Sequence, residues 1–564
     1  MVAAAAAAAA TLSQGKVWSV DAKVASQSPY DIAIIGAGII GSALAYSLSE
    51  SGRSILLLER DLVEPDRIVG ELLQPGGCLA LQQLGISDTL ADIDAVPCEG
   101  YKVFWGDEQV AIPYPPEERE MGWKDGRNDK SSTIVKQEGR SFHHGRFVMN
   151  LRRKAASSKG VTIVEATVNN LQRQGKRIVG VCATPKGGDE QLDFRATLTI
   201  VVDGCMSKFR RQILPSHITP IVRSHFVGIV LEDADLPAPH HGHVILGKAD
   251  RSSSSSAEGS NSLGPVLVYQ LSTHDTRMLI DIRGTKAPST TKLPSFLRQH
   301  VTPVLPPSIV PSFEKALQRA ESGDKEHRLR SMPNSFLPPY PQGREIEGAF
   351  LAGDSLNMRH PLTGGGMTVA MNDTVLLTQL LGGGKQVGEI QSKEEDQVVD
   401  LHSWWDVHEK LEDWHWERKK LASCINVLAM ALYSLFGAED ENLEVLKTGC
   451  FKYFELGGDC IAGPVSLLSA LTPSPLLLFY HFFRVAFYSI YTLFQTPIIT
   501  SSDPKGRPVE WTDYPALTVK SAKVFWTACV VLLPFLWGRV RCSSRSGSEE
   551  EELKRGRSFL VVIT

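Results

Sequence analysis

Three glycines and one acid near the start of the chain have the spacing of a dinucleotide-binding turn. Gly36, Gly38 and Gly41 form the pattern Gly-x-Gly-x-x-Gly, and Glu59 ends the next apolar run. In such a turn the first glycine permits a tight bend, the second admits a pyrophosphate to the backbone, and the third packs closely on a strand. The following helix offers free N–H groups to the phosphates. Because Glu59 would bind both ribose hydroxyls and repel a 2′-phosphate, the turn predicts FAD or NAD rather than NADP.

A second acid and a second glycine run lie much later in the chain. Gly353-Asp354 ends an apolar stretch, and three glycines at 364–366 open a helical pattern. The carboxylate would hold ribityl hydroxyls, and the helix N-terminus would face flavin or pyrophosphate oxygens, which favours FAD. The sequence carries one complete Gly-x-Gly-x-x-Gly fingerprint. We therefore expect electrons to come from a partner protein rather than from a nicotinamide bound to this chain.

The elements around these groups predict an α/β fold. Residues 32–35 and 54–58 are apolar runs on either side of a helical pattern, and a later strand ends at Asp203-Gly204. This order of strand, glycine turn, helix and strand is typical of a Rossmann-type FAD-binding domain. Alternating segments in the middle of the chain predict a mainly antiparallel substrate-binding sheet.

Changes in composition divide the chain into segments. The alanine-rich start lacks the basic region of a signal peptide and predicts a disordered leader, and a serine run at 252–256 predicts a flexible insert. The predicted segments are the leader at 1–29, an FAD-binding domain at 30–220 with a strand excursion at 100–200, a substrate-binding sheet domain at 221–345, a return to the FAD-binding domain at 346–385, a helical region at 386–470, membrane-associated helices at 471–541 and a polar tail at 542–564.

Charge and cysteine content argue against several classes of function. The net charge of −4 lacks the basic excess of a nucleic-acid binder, so we expect no nucleic-acid partner. The nine cysteines form no CxxC pair, and no histidine cluster has ligand spacing. This pattern argues against a disulfide framework or a metal site and favours reduced thiols.

Two aromatic-rich stretches near the C-terminus predict contact with membrane lipid. Residues 475–499 contain Arg484 in their middle, and residues 524–537 are broken by Pro534. Neither stretch is a clean transmembrane span, so both favour helices that lie in one face of a bilayer, with a transmembrane hairpin as the alternative. Residues 426–436 predict an apolar helix that is too short to cross a bilayer.

Longer sequence strings narrow the assignment. Together with the glycine turn and the two strand ends, residues 59–77, 142–149 and 357–370 resemble the flavin monooxygenases that share the para-hydroxybenzoate hydroxylase fold, and within them the squalene monooxygenase family. The resemblance implies a membrane-bound FAD enzyme of sterol synthesis that converts squalene into (3S)-2,3-oxidosqualene. It implies O2 as co-substrate and a separate NADPH-dependent microsomal flavoprotein reductase as electron donor. It also implies the endoplasmic reticulum membrane, with the catalytic domain facing the cytosol, or lipid droplets.

The resemblance assigns ten cofactor-binding residues, each at a position where the family contacts FAD. They are Ile39 and Ile40 at the pyrophosphate, Glu59 and Arg60 at the adenosine ribose, Arg67 near the cofactor, Leu72 at an apolar contact, Arg152 at the cofactor, Val168 at adenine through its backbone, Asp354 at the ribityl–phosphate region and Met367 at the isoalloxazine end. From its helical position alone, Arg152 would suit a solvated charge equally well.

The family also places Tyr101 and Gln74 close together beside the flavin, and these are the predicted catalytic residues. Their hydrogen bond would orient the site rather than transfer a proton, while the alternative is a buried tyrosine with no catalytic role. Two other functions use related folds, namely prenyl-chain reduction and non-enzymatic escort of prenylated small GTPases. An escort protein would bind no flavin and would not need Glu59 or Asp354.

Overall fold

The computed structural model describes residues 19–120, 132–247, 263–284, 289, 292–324, 328–394, 397–437, 440–500 and 503–537. The strands of this part of the chain are β1 (Tyr30–Ile35), β2 (Ile55–Glu59), β3 (Leu72–Leu73), β4 (Val96–Cys98), β5 (Gly100–Trp105), β6 (Glu108–Pro113), β7 (Glu117–Glu120), β8 (Ser132–Val135), β9 (Gly139–Ser141), β10 (Val161–Gln174), β11 (Arg177–Pro185), β12 (Leu192–Val201), β13 (Ile221–Glu232), β14 (His241–Leu246), β15 (Leu263–Gln270), β16 (Asp275–Arg283), β17 (Arg330–Phe336), β18 (Ala349–Leu351), β19 (Ile498–Thr500) and β20 (Asp503–Arg507). The helices are α1 (Ala22–Ala25), α2 (Ile39–Glu50), α3 (Pro75–Gln83), α4 (His144–Ser157), α5 (Arg210–Ile213), α6 (Leu293–His300), α7 (Val310–Glu321), α8 (Gly365–Leu381), α9 (Trp404–Phe436), α10 (Glu441–Glu455), α11 (Asp459–Leu468), α12 (Pro475–Leu493) and α13 (Tyr514–Trp537).

A parallel sheet forms the centre of the predicted FAD-binding domain. Its strands lie in the order β18–β12–β1–β2–β10, with Ile34 opposite both Leu57 and Ile200. These three side chains are fully buried, as expected for apolar strands covered by helices on both faces. The second half of β10 pairs antiparallel with β11, which pairs with β12. The predicted Rossmann-type fold is confirmed.

The described part of the chain includes residues 19–29, before the predicted domain boundary at residue 30. Residues 1–18 lie outside the described residues, but α1 packs against the parallel sheet. The Asp21 carboxylate caps this helix by accepting the N–H groups of Lys23 and Val24, which are otherwise unpaired at a helix start. The Tyr30 hydroxyl donates to the carbonyl of Ala25 at 3.1 Å. The predicted leader is therefore too long at its C-terminal end.

A second, seven-stranded sheet has the order β17–β13–β16–β15–β14–β5–β6, and we call it the substrate sheet because it contains the region predicted to bind substrate. All neighbours are antiparallel except β14 and β5, which run parallel with His241 opposite Gly100. The mainly antiparallel sheet is as predicted. The hairpin β5–β6 was predicted within the FAD-binding domain and instead belongs to this sheet, because its buried apolar face joins the core that contains Phe226 and Leu279. The serine run at 252–256 lies outside the described residues.

The C-terminal third is a bundle of helices. The predicted short helix at 426–436 is the end of the 33-residue helix α9. Both α9 and α12 are long and apolar enough to cross a membrane by length and composition, although half of the most apolar part of α9 is buried. The predicted stretch at 475–499 forms α12 followed by β19, and residues 524–537 end α13. Residues 538–564 lie outside the described residues.

Candidate active site

The three fingerprint glycines differ in what surrounds them. Gly36 has a φ of +107°, and a Cβ there would lie 2.7 Å from the carbonyl oxygen of Val202. A Cβ at Gly41 would overlap the carbonyl oxygen of Gly36. Both positions therefore need glycine for backbone packing. At Gly38 no described atom lies within 4 Å of the position that a Cβ would take, so this backbone faces open space.

That open space is a cavity of about 220 Å³ between the glycine turn, the substrate sheet and the start of α8. Gly204 and Gly366 also line it, and neither would place a Cβ against a described atom. The first residue of α2 and the first turn of α8 meet at this cavity, and helix N-termini attract phosphate and flavin oxygens. The glycine backbone and the two helix N-termini therefore suit the pyrophosphate and flavin oxygens of a flavin dinucleotide. The predicted residues that line it are Gly38, Ile39, Ile40, Arg67, Leu72, Tyr101, Asp354 and Met367.

Glu59 and Arg152 meet at the back of the glycine turn. The Glu59 carboxylate accepts the N–H of Ala37 at 2.8 Å, and the Arg152 guanidinium lies 3.7 Å from the same carboxylate. Arg152 Nε donates to the carbonyl of Ala37 at 2.8 Å. Arg152 is 3% exposed, so it is not a solvated helix charge. Burial lowers the pKa of Arg152, while the Glu59 carboxylate acts in the opposite direction.

The cavity is lined by none of the three predicted adenosine contacts, which are Glu59, Arg60 and Val168. Arg60 is exposed at the end of β2. Val168 is buried in β10, opposite Ala183, three residues beyond the Glu165 position that pairs with Glu59. Both residues are thus near the Glu59 side of the turn rather than the cavity, and their roles stay predictions.

Asp354 lies where the parallel sheet meets the cavity. It follows β18 in a short turn that begins at Gly353, whose φ is +61°. The turn is held by Arg210, which donates to the carbonyl of Ser355 at 2.7 Å and to that of Asp354 at 3.2 Å. Arg210 was not predicted, because its sequence position after Asp203-Gly204 gives no sign of a partner 144 residues away.

Gln74 is the centre of a buried hydrogen-bond group with two tyrosines. Its amide nitrogen donates to the Tyr101 hydroxyl oxygen and, at 2.9 Å, to the carbonyl of Thr363. Its amide oxygen accepts the Tyr114 hydroxyl at 2.6 Å. Burial raises the pKa of Tyr101 well above its usual value, so the hydroxyl stays protonated at neutral pH. The predicted pairing of Tyr101 with Gln74 is present, whereas Tyr114 and Thr363 were not predicted.

A buried ion pair ties the loop before Gln74 to the substrate sheet. The Glu71 carboxylate accepts three hydrogen bonds from Arg277, the shortest at 2.7 Å, and one from the Tyr269 hydroxyl at 2.9 Å. The Glu71 side chain is 1% exposed. On the other side of the loop, His144 Nδ1 lies 2.8 Å from the carbonyl of Gly70, and burial lowers the pKa of His144 to about 4. His144 is therefore neutral and donates to that carbonyl.

Comparison with known proteins identifies the family. A family model for squalene epoxidase matches residues 195–503, and one for FAD dependent oxidoreductases matches residues 31–65. Squalene epoxidase ERG1 of Candida albicans is 38% identical over 541 residues, covering 91% of this chain and 99% of the relative. The Saccharomyces cerevisiae ERG1 protein is 40% identical, covering 91% and 96%, and squalene monooxygenase of Mus musculus is 38% identical, covering 91% and 78%. The chain belongs to the squalene epoxidase family.

Solved structures with the same fold as this squalene epoxidase family member include flavin-dependent enzymes. PqsL of P. aeruginosa in complex with 2-aminobenzoylacetate aligns with a TM-score of 0.52 and 17% identity, covering 72% of this chain and 97% of that chain. The flavin-dependent brominase Bmp2 aligns with a TM-score of 0.52 and 13% identity, covering 82% and 99%. At these identities the likeness shows the fold alone. With the oxidoreductase family match, it supports FAD as the cofactor, as predicted. The assigned contacts of individual residues stay predictions.

Proposed function

We propose that this chain is a squalene monooxygenase that makes (3S)-2,3-oxidosqualene for sterol biosynthesis. The reaction adds one oxygen atom of O2 to a terminal alkene and releases the other as water, and it consumes two electrons and two protons. The observation that carries the proposal is membership of the squalene epoxidase family across 91% of the chain. The prenyl reductase and escort alternatives are not favoured by these relatives.

The cavity has polar groups that would hold the cofactor and apolar side chains that would contact the hydrocarbon. When bound, FAD supplies the redox chemistry that activates O2. Asp354, Arg67 and the open backbone at Gly38 would hold it, with Glu59 and Arg152 fixing the turn behind. On the opposite side the cavity is lined by apolar side chains that exclude water and suit a hydrocarbon. They include Leu267, Leu279 and Leu362.

Tyr101 and Gln74 would orient the reacting end of the substrate. The Tyr101 oxygen accepts a hydrogen bond from Gln74 and retains its own proton. Tyr101 therefore presents a neutral hydroxyl at the cavity wall, in a position set by Gln74 and the Thr363 carbonyl. The Tyr101 hydroxyl in turn donates to the Thr363 carbonyl at 3.4 Å, so its proton stays within this group and no proton transfer is assigned to Tyr101.

The electron donor is proposed to be a separate NADPH-dependent microsomal flavoprotein reductase. The proposal rests on the single dinucleotide fingerprint in the sequence. It predicts that NADPH alone does not reduce the FAD-loaded protein, and that adding the reductase does. Flavin bleaching followed by absorbance under anaerobic conditions measures this directly. Rapid bleaching by NADPH alone would contradict the proposal.

The C-terminal helices are proposed to bind the endoplasmic reticulum membrane, with the cavity on the cytosolic side and lipid droplets as a second surface. Large apolar side chains are exposed on α12 and α13, among them Leu476 (82%), Phe487 (59%) and Trp526 (63%). Such a surface suits the interface of a bilayer. In a flotation assay with lipid vesicles, Phe487→Glu should lower the bound fraction. Val24→Glu, at an exposed valine on α1, should not.

The function is tested by reconstitution. The purified full chain is incubated with squalene, FAD, NADPH and the reductase, and products are extracted and identified by mass spectrometry. Oxidosqualene that depends on both FAD and reductase is the expected result. A protein that binds no flavin would support the escort alternative, and saturation of a prenyl double bond without an added oxygen would support the reductase alternative.

A further inference from the structure

A buried histidine lies directly before the turn that contacts Gln74. His360 is 3% exposed and precedes the short turn Pro361–Thr363. Its Nδ1 accepts the N–H of Leu362 at 3.2 Å. A nitrogen that accepts a hydrogen bond carries no proton, so the ring proton is on Nε2. His360 thus caps the turn with one nitrogen and has a donor on the other.

The donor side of the ring faces a buried carboxylate in the substrate sheet. His360 Nε2 lies 3.4 Å from Asp281 Oδ1 and 3.2 Å from the hydroxyl oxygen of Ser224. Ser224 itself donates to Asp281 Oδ1, and Asn334 Nδ2 donates to the same oxygen at 3.0 Å. Asp281 is fully buried, and a buried carboxylate needs donors. Among the described residues these donors meet its Oδ1, while its Oδ2 has no hydrogen-bond partner. These residues therefore form a fixed anchor for the imidazole.

Aromatic rings hold the imidazole from two more directions. Tyr433 of α9 stacks on it, with ring centroids 4.2 Å apart and planes inclined by 24°. Phe226 of β13 meets it edge-on at 5.3 Å. With two hydrogen bonds and two ring contacts, the side chain has one orientation.

The far end of the same turn holds the predicted catalytic pair. The Thr363 carbonyl accepts Gln74 Nε2 at 2.9 Å and lies 3.4 Å from the Tyr101 hydroxyl. Gly364 follows with a φ of +61° and starts the glycine run that lines the cavity. Because the turn is only three residues long, any shift of its cap is transmitted to this carbonyl.

We propose that His360 is a positioning residue for epoxidation. By joining Asp281 to the turn, it holds the Thr363 carbonyl where that carbonyl fixes Gln74 and therefore Tyr101 beside the cavity. No proton transfer is assigned to the imidazole. The proposal rests on the proposed function, because it gives His360 a purpose in that reaction.

Two variants test this proposal, because each of them keeps one of the two contacts of His360 and loses the other. His360→Asn retains an oxygen near the place of Nδ1 and can cap the turn, but it cannot reach Asp281. His360→Gln can place an amide nitrogen near Nε2 but loses the cap. Both variants, loaded with FAD, should lower kcat by about 10- to 100-fold, as a displacement of about 1 Å can do. FAD affinity and KM for squalene should be unchanged, and more NADPH should be consumed per oxidosqualene formed.

A second measurement does not depend on turnover. Hydrogen exchange of the peptide that covers Pro361–Thr363 should be fastest in His360→Gln, which loses the cap on the Leu362 N–H. It should rise less in His360→Asn, which keeps the cap but loses the contact with Asp281. The matched control is His415→Asn, because His415 is another buried histidine, five turns before Tyr433 on α9. The control should keep native exchange and native kcat.

The double variant H360N/Y101F separates positioning from general destabilisation. If both residues act in one arrangement, the double variant should be about as slow as Y101F alone, since residues that act as a unit are not additive. Multiplied losses, native turnover in either His360 variant, or loss of FAD in both variants would overturn the proposal. If the native chain makes no oxidosqualene, the proposed function fails. The link between His360 and the turn Pro361–Thr363 is tested separately, because hydrogen exchange that is unchanged in both variants would overturn it.

Discussion

Replacing Tyr101 by phenylalanine should separate orientation of the site from stability of the fold. The native hydroxyl accepts one of the two N–H groups of Gln74, and the other is satisfied by Thr363 at 2.9 Å. Tyr101→Phe leaves one buried N–H without an acceptor, which costs about 1–3 kcal/mol. If this cost is added to the activation free energy of the reaction, kcat decreases by about 5- to 150-fold, because about 1.4 kcal/mol corresponds to a factor of ten. FAD affinity should be retained, because Tyr101 belongs to β5 and not to the glycine turn or the turn at Asp354.

The matched control for this prediction is Tyr114→Phe. It removes the donor to the amide oxygen of Gln74, a contact of 2.6 Å, and should lower the free energy of unfolding by a similar amount. Tyr114 is not among the residues that line the main cavity, so kcat should decrease less than in Tyr101→Phe. Urea unfolding, FAD titration and reductase-coupled turnover measure the three quantities. Native turnover in Tyr101→Phe, or equal losses in both variants, would refute the reasoning.

Four further predictions concern the cofactor turn and the loop beside it. Gly38→Ala places a Cβ in open space, so the apoprotein should unfold as the native chain does. The Kd for FAD should rise about tenfold or more, which is a loss of at least about 1.4 kcal/mol in binding free energy. An unchanged Kd in a fluorescence titration would contradict this. Asp354→Ala should lose FAD on gel filtration and keep its circular dichroism spectrum. Glu71→Gln leaves the Arg277 charge buried and should destabilise the fold by about 3–5 kcal/mol in urea unfolding; a loss below 1 kcal/mol would show that the pair is dispensable. His144 has a pKa of about 4 in the folded chain, against an ordinary value of 6.5. Between these pH values the unfolded chain binds more protons, so the free energy of unfolding should decrease by up to about 3 kcal/mol as the pH falls from 6.5 to 4. His144→Asn should remove this part of the acid sensitivity.

Local sequence signals were sufficient for the cofactor turn. The apolar runs of β1 and β2, the glycines between them and Glu59 follow one another within a short stretch, and each has a backbone reason that a sequence displays. The Gly353-Asp354 strand end is similar. The burial of Arg152 could not be read from its helix, because the carbonyl that it contacts belongs to Ala37, 115 residues away.

Contacts made by packing of distant elements could not be predicted. Tyr114 reaches Gln74 only because the hairpin β5–β6 joins the substrate sheet through β14, and an alternating pattern does not say which strand will be its neighbour. Thr363 and Gln74 are 289 residues apart. His360 and Asp281 likewise meet across 79 residues, where the sequence shows only a histidine before a proline.

The central claim is that this chain transfers one atom of O2 to squalene. The most direct measurement is incubation of the full chain with squalene, FAD, NADPH and the microsomal reductase under isotopically labelled O2, followed by mass spectrometry of oxidosqualene and water. We predict one labelled oxygen atom in each oxidosqualene molecule and the second in water. Oxidosqualene without label, or no oxidosqualene from flavin-loaded protein, would contradict the claim.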